Sequence, residues 1–319
     1  MIGFVLVRSG DNVVRELAEG KDVAVDGAAL LWEHIEQASD ADISLKIQRT
    51  DIPAVVFAAL VASETRPRCD QIEDGALINL RGPAALPAPD GDRLVSIRAW
   101  VHGDRVISVS RRGLAATSQV ATAMKAGAIS DCGDLVAAFS QSISNGLDPQ
   151  VASLGDDVDD CESELEAGNI YQLRRRIATI RSQAIAFRRF IAPNRDALLT
   201  LAGLRVDWLA DDDRLHIREA ADRFSRMAEE LEAIRERAAL LHEQLTDLRA
   251  ELVDQRSLMI AIVAFIFLPL TFITGLLGMN VQGIPFANQP WAFWGVVAFC
   301  NVVGLIVLGW FGMRHWLGR

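Results

Sequence analysis

The hydrophobic pattern changes twice along the chain. Up to about residue 140, short apolar segments alternate with turn residues. From residue 148 the apolar positions recur at helical spacing, and near the C-terminus two runs carry no charged side chain on any face. In the first region "RLVSIRAWVHGDRVISVSRR" (93–112) predicts two strands around a His102-Gly103-Asp104 turn, because Gly-Asp is a tight-turn pair. "GALINLRG" (75–82) predicts another short strand. "GAALLWEHIEQAS" and "IPAVVFAALVAS" read as amphipathic helices, the second with Pro53 near its start, and "GPAALPAPDGD" as a Pro/Gly loop. The expectation is an α/β domain over residues 1–147, with helices covering one side of a sheet.

Residues 148–256 predict a helical hairpin followed by a long stalk helix. Seven acids lie between Asp156 and Glu166. A Gly168-Asn169 break follows, and then Arg174, Arg175, Arg176, Arg181, Arg188 and Arg189. Opposite charge on the two arms of a hairpin explains this pattern; a cation-attracting acidic surface is the alternative. Asp211, Asp212 and Asp213 suit a helix N-terminus, where carboxylates meet the positive end of the dipole. No Pro or Gly interrupts the chain from there to Pro269. The helix reaching Gly278 would measure on the order of 100 Å at ~1.5 Å per residue. Such a helix cannot bury its apolar stripe within one subunit.

The runs 258–277 and 291–313 contain no Asp, Glu, Lys, Arg or His. Each has about the 20 residues that cross a hydrocarbon core of roughly 30 Å. We therefore expect transmembrane helices over 257–278 and 291–313, an outer loop over 279–290 and a tail over 314–319. Arg256 precedes the first run, Arg314, His315 and Arg319 follow the second, and the loop "MNVQGIPFANQP" is uncharged. The positive-inside rule then puts both termini in the cytoplasm. The start, "MIGFVLVRSGDNVV", lacks the pattern of a secretory signal. The expected setting is a bacterial-type inner membrane, with a cytoplasmic head of roughly 250 residues.

Stepping back from Gly278 by three and four residues gives Gly275, Thr271, Leu268, Ala264, Ala261, Ser257 and Asp254. This stripe is small or polar except at Leu268, whereas the other faces carry Met259, Ile262, Phe265, Phe267, Phe272 and Ile273. Small residues permit close helix packing. A water-filled axis shared by several subunits is the other reading, favoured by the Thr271 hydroxyl, the Asn280 amide and Asp254 at the inner end. Soft metal ligands are scarce. Cys69, Cys132, Cys161 and Cys300 form no CxxC pair and suit small buried positions. Of five histidines only His216 has acids at helical spacing: Asp212, Asp213 and Glu219 share its face. A capped, solvated helix start is the plainer account of that group. His34, His102, His242 and His315 carry no comparable signal. No phosphate loop, nucleophile elbow or zinc-protease motif is present, so no enzyme is expected.

Two C-terminal spans, a stalk helix and Gly278-Met279-Asn280 after the first span resemble the CorA superfamily of divalent-cation transporters. The longer "GMNVQGIP", with Gly283 and Pro285, is similar to its ZntB-like zinc branch, as are "LLWEHI", "ETRPRC", "INLRG", "IRAWV" and "VISVSRR". The loop lacks the acidic residue usual in the magnesium branch. The resemblance implies a homopentameric funnel whose first span lines the pore, with Gly278, Met279 and Asn280 at the outer mouth. It implies transport of Zn2+ ahead of Mg2+, a lipid bilayer as surroundings, no tightly bound cofactor and no nucleic-acid partner. The rivals are a magnesium channel of the same architecture and a two-span sensor or scaffold that carries no ion.

Overall fold

The computed structural model describes residues 2–9, 13–17, 28–36, 52–62, 66–86, 93–166, 170–279, 284, 286 and 289–316. The chain divides into two units, Met1–His242 and Glu243–Arg319. The first holds a mixed seven-stranded sheet in the order β2-β1-β3-β7-β6-β5-β4. Its strands are β1 (Ile2–Ser9), β2 (Val14–Leu17), β3 (Ala28–Glu36), β4 (Arg68–Ile72), β5 (Gly75–Pro83), β6 (Leu94–His102) and β7 (Arg105–Ser110). Two antiparallel meanders join through one parallel pair, β3 with β7.

The expected hairpin is β6–β7, with His102 paired to Arg105 around Gly103-Asp104. Gly103 has φ +59°, the left-handed first turn position that glycine fills without strain. The segment 75–82 is a strand as expected, and Gly82 and Pro83 extend it into the expected loop. Residues 87–92 of that loop lie outside the described residues.

The expected helix at "GAALLWEHI" is instead strand β3. Its Ala, Leu and Glu content favours helix, but the segment lies between β1 and β7 with both faces covered. Leu30, Trp32 and His34 are buried on one face and Ile35 on the other. A strand covered on both sides loses the alternation that would announce it. Helices also cover both faces of the sheet, not one. On one side α1 (Ala54–Val61), which begins just after Pro53, packs Val56 and Leu60 onto Ile35, Leu77, Trp100, Ile107 and Val109. On the other, Trp32 meets Phe139, from a long helix that follows the sheet, edge-on at 5.4 Å. Each fully buried Leu or Ile here contributes roughly 1.5–3 kcal/mol.

After α2 (Ala115–Lys125) come three long helices: α3 (Cys132–Glu166), α4 (Ile170–Ala202) and α5 (Asp211–Leu277). Helix α3 begins well upstream of residue 148, and the Gly168-Asn169 break lies outside the described residues. The buried stripe of α5 is Ile217, Ala220, Phe224, Met227, Leu231, Ile234, Ala238, Leu241 and Leu245, in steps of three and four. Opposite charges pair across the helices: Arg176 of α4 with Glu164 and Asp160, and Arg237 of α5 with Asp159 and Glu162. These pairs are half-exposed, so they fix register more than they stabilise. Asn194 of α4 forms a two-bond clamp on β5, accepting from Arg81 N at 3.0 Å and donating to Arg81 O at 2.8 Å.

The first turns of α3 and α5 meet. Asp131 caps α3 by accepting from the Asp134 N–H at 2.9 Å, and Asp213 accepts from the Ala210 N–H at 2.9 Å. A Cβ at Gly133 would lie 2.0 Å from the Asp213 carboxylate, so only glycine permits this approach. Burial, and then the charges of Asp131 and Asp134, raise the Asp213 pKa to about 6, against the lowering effect of the Ala210 N–H. A carboxyl whose folded pKa is raised contributes its stability below the unfolded value and loses it as pH rises. The window runs from 3.8 to about 6. Asp213→Asn should therefore flatten the pH dependence of thermal unfolding across this window. It should also stabilise the protein above it by on the order of 2 kcal/mol. An unchanged slope would show that Asp213 holds no proton in the folded state.

Candidate ion pathway

Helix α5 continues through Pro269 to Leu277 without interruption. Among the described residues it is the one helix long and apolar enough to cross a membrane by length and composition. Helix α6 (Ala292–Trp316) contributes a shorter apolar run, Ala292–Val307. No residue described beyond Leu245 is buried.

Partial shielding nevertheless picks out one face of each apolar helix. On α5 it falls on Ile262, Ile266, Leu270 and Ile273; on α6 it falls on Ala292, Val296, Cys300, Val303 and Val307. At ~100° per residue, the shielded face of α5 lies roughly 180° from Ala261, Ala264, Leu268, Thr271 and Gly275. Those five are exposed, as are Asp254, Ser257 and Gly278. The small and polar stripe is thus the side that the unit itself leaves open. A hollow of about 390 Å³ on this side is lined by Ala264, Leu268 and Thr271, with Phe267 and Phe272 at its edges. The Thr271 hydroxyl donates to the Phe267 carbonyl at 2.7 Å, and the Thr274 hydroxyl to the Leu270 carbonyl at 3.0 Å. Both keep lone pairs available to water.

At the C-terminal end of α5, Gly278 N–H closes the last turn on the Thr274 carbonyl at 2.9 Å, and Met279 N–H reaches the Leu276 carbonyl at 3.4 Å. Gly278 is not left-handed; a Cβ there would press on the Thr274 carbonyl at 3.1 Å. Asn280, Gly283 and Pro285 lie outside the described residues. Beyond them Phe286 packs on Trp291 with ring centroids 5.4 Å apart.

Asp213 is gathered with Asp131 and Asp134, their oxygens all within 4.8 Å of one another. Asp212 and His216 do not enter that group; Asp212 is exposed and His216 half-exposed. The sequence signal for the group is Asp131-x-x-Asp134 at the start of an apolar helix, a capping pattern. The thiols of Cys69, Cys132 and Cys161 are buried and free, and burial raises all three, Cys69 to about 12. None is disposed to serve as a thiolate ligand. His34 is buried between Ser108, at 2.8 Å from Nδ1, and Ser110, at 3.4 Å from Nε2. It belongs to the core of the sheet.

The CorA-like Mg2+ transporter family model matches residues 27–314. The zinc transport protein ZntB of Pectobacterium carotovorum subsp. carotovorum is 31% identical over 302 residues, 93% of this chain and 91% of that protein. ZntB of Yersinia enterocolitica is 30% identical over 291 residues, covering 90% and 88%. Among solved structures, full-length CmaX superposes with a TM-score of 0.77 at 28% identity, over 99% of this chain and 97% of that one. The CorA magnesium transporter of Methanocaldococcus jannaschii gives a TM-score of 0.81 at 20% identity, covering 97% and 96%. The ZntB cytoplasmic domain of Vibrio parahaemolyticus gives 0.68 at 17% identity, covering 78% of this chain and 98% of that domain. These last two likenesses concern the fold. A sheet unit, a long helix followed by Gly278-Met279 and relatives aligned over nearly the whole length lead to one assignment: the chain belongs to the CorA-like family, whose members are ion transporters and not enzymes.

Proposed function

We propose that this protein carries divalent metal cations, Zn2+ ahead of Mg2+, across an inner membrane. The observation that carries the reading is the alignment of 93% of the chain with a zinc transport protein at 31% identity. In the proposed assembly five copies set α5 around a common axis, with α6 as the second span and both termini cytoplasmic. The open stripe Asp254, Ser257, Ala261, Ala264, Leu268, Thr271 and Gly275 faces the axis. Its position opposite the shielded stripe supports this orientation, because one face of a pore helix must remain free of its own second span.

Selection then starts at Gly278, Met279 and Asn280. A ring of amide oxygens is neutral, so it hydrogen-bonds to the water around an arriving ion instead of stripping it. At the inner end, five copies of Asp254 concentrate cations. Without a nucleotide motif, the driving force is the ion's own gradient, the membrane potential or a coupled proton. No carboxylate, imidazole or amine lies between Ser257 and Leu277. In a proton-coupled cycle the proton is then either sensed below the membrane, at Asp254 or around Asp212, Asp213 and His216, or travels with the ion's own hydration water.

Purified protein in liposomes should take up Zn2+ faster than Mg2+. Asn280→Ala should lower that flux by at least about tenfold with assembly unchanged; native-like flux in the assembled variant would remove Asn280 from the mouth. Single cysteines at Ala264, Leu268 and Thr271 should react with water-soluble thiol reagents, while cysteines at Phe265 and Ile266 stay protected. The reverse pattern would mean that α5 is rotated. Any response of Zn2+ flux to a pH gradient should be lost in Asp254→Asn or His216→Ala. A response intact in both would exclude the cytoplasmic sites.

A further inference from the structure

We infer that α6 carries a second docking face, centred on Asn301, and that this face takes the α6 helix of another copy of this chain. Asn301 stands next to the middle of the uncharged run 291–313. It is exposed, and so are Trp294, Ala298 and Leu305, which share its side of the helix at steps of four and three. At ~100° per residue, Asn301 is turned roughly 130° from Val296, Cys300, Val303 and Val307 on the shielded side. The inference rests on the reading of α6 as the second span and does not depend on which ion crosses.

The side chain itself is only half matched. One Nδ2 hydrogen goes to the Val297 carbonyl at 2.9 Å, one turn back. The other N–H and the Oδ1 meet no group among the described residues. In water both would be hydrated. In a hydrocarbon core an unmatched amide costs free energy, and polar side chains there bond across helices.

The occupant follows from which donors exist at that depth. Over 257–278 and 291–313 the other side chains with an O–H or N–H are Ser257, Thr271, Thr274, Trp291, Trp294 and Trp310. The Thr271 and Thr274 hydroxyls give their hydrogens to the Phe267 and Leu270 carbonyls. Ser257 stands at the N-terminal limit of the first run. The indoles lie seven or more residues from Asn301, about 10 Å or more along the axis. None of these reaches an acceptor at mid-depth, whereas a second Asn301 does. Two α6 helices that enter the membrane the same way hold this residue at equal depth. A carboxamide is its own complement, so each free N–H donates to the other Oδ1. One Asn within an apolar heptad stripe fixes the register of a helix pair in this way. The contact points away from the shielded side and so joins copies without displacing α5.

Disulfide cross-linking of the full-length protein in inner-membrane vesicles tests it. Ala298→Cys, in a chain that also carries Cys300→Ala, should give a cross-linked dimer on oxidation, and Val296→Cys on the shielded side should not. Adding Asn301→Leu to Ala298→Cys should lower the dimer yield by about threefold or more, while Asn301→Gln, which keeps the amide, should retain most of it. Neither substitution touches the sheet unit or the open stripe of α5. Absence of a dimer from Ala298→Cys would mean that lipid or a different protein covers this face. An equal yield with Asn301→Leu would mean that the amide plays no part. Either result overturns the inference. Labelling of Asn301→Cys by a membrane-impermeant maleimide would overturn the spanning reading, and this inference with it.

Discussion

Everything in this molecule answers to one constraint: a single unbroken helix changes its surroundings partway along. Up to Leu245, α5 has a buried stripe. Beyond Leu245 none of its residues is buried, yet the helix runs on to Leu277. Its backbone groups are satisfied internally, which a lipid interior requires of any spanning segment. Pro269 removes one donor from that ladder, and the hydroxyls of Thr271 and Thr274 add bonds to carbonyls one turn earlier. The side chains have no such internal solution. Large residues such as Phe265, Phe267 and Leu268 are more than 60% exposed, so lipid or further copies of the chain must cover them.

That constraint was the most legible part of the sequence, because its signals are long and redundant. A run of uncharged residues, a stretch without Gly or Pro and a Gly-Met-Asn at its end each point the same way. Short elements with contradictory signals were not legible. Strand β3 is built from good helix formers, and its pairing with β1 on one side and with β7, about 70 residues away in sequence, on the other holds it extended. Strand β2, with four residues, is too short for periodicity to decide. Helix α4 continues through Pro193 to Ala202, where proline would suggest an end; Asn194, next to it, holds the backbone of β5.

The candidate metal residues show a different limit. Spacing on one helix groups Asp212, Asp213 and His216 correctly as neighbours in sequence, but a side chain can turn to another helix. Asp213 turns toward Asp131 and Asp134, because the first turns of α3 and α5 meet there and Gly133 leaves room for it. One helical wheel cannot reveal a contact that depends on a glycine some eighty positions upstream.

The chemistry of the open stripe bears on what kind of selectivity a pore of this type can have. A site that dehydrates Zn2+ needs thiolate, imidazole or carboxylate ligands at about 2.0–2.3 Å. Along the stripe between Ser257 and Gly278 there are none, and the buried thiols of Cys69, Cys132 and Cys161 are held protonated. On the proposed reading, an ion therefore crosses the apolar stretch with its water. Preference between Zn2+ and Mg2+ must then arise from how readily each hydration shell fits and deforms against amide, hydroxyl and carbonyl oxygens. Mg2+ dehydrates reluctantly and demands near-ideal octahedral geometry, whereas Zn2+ accepts several coordination numbers. On the same reading, copies of Leu268 beside Thr271 would form a constriction that penalises a rigid octahedral shell more than a deformable one. That difference would give a zinc preference without a zinc ligand.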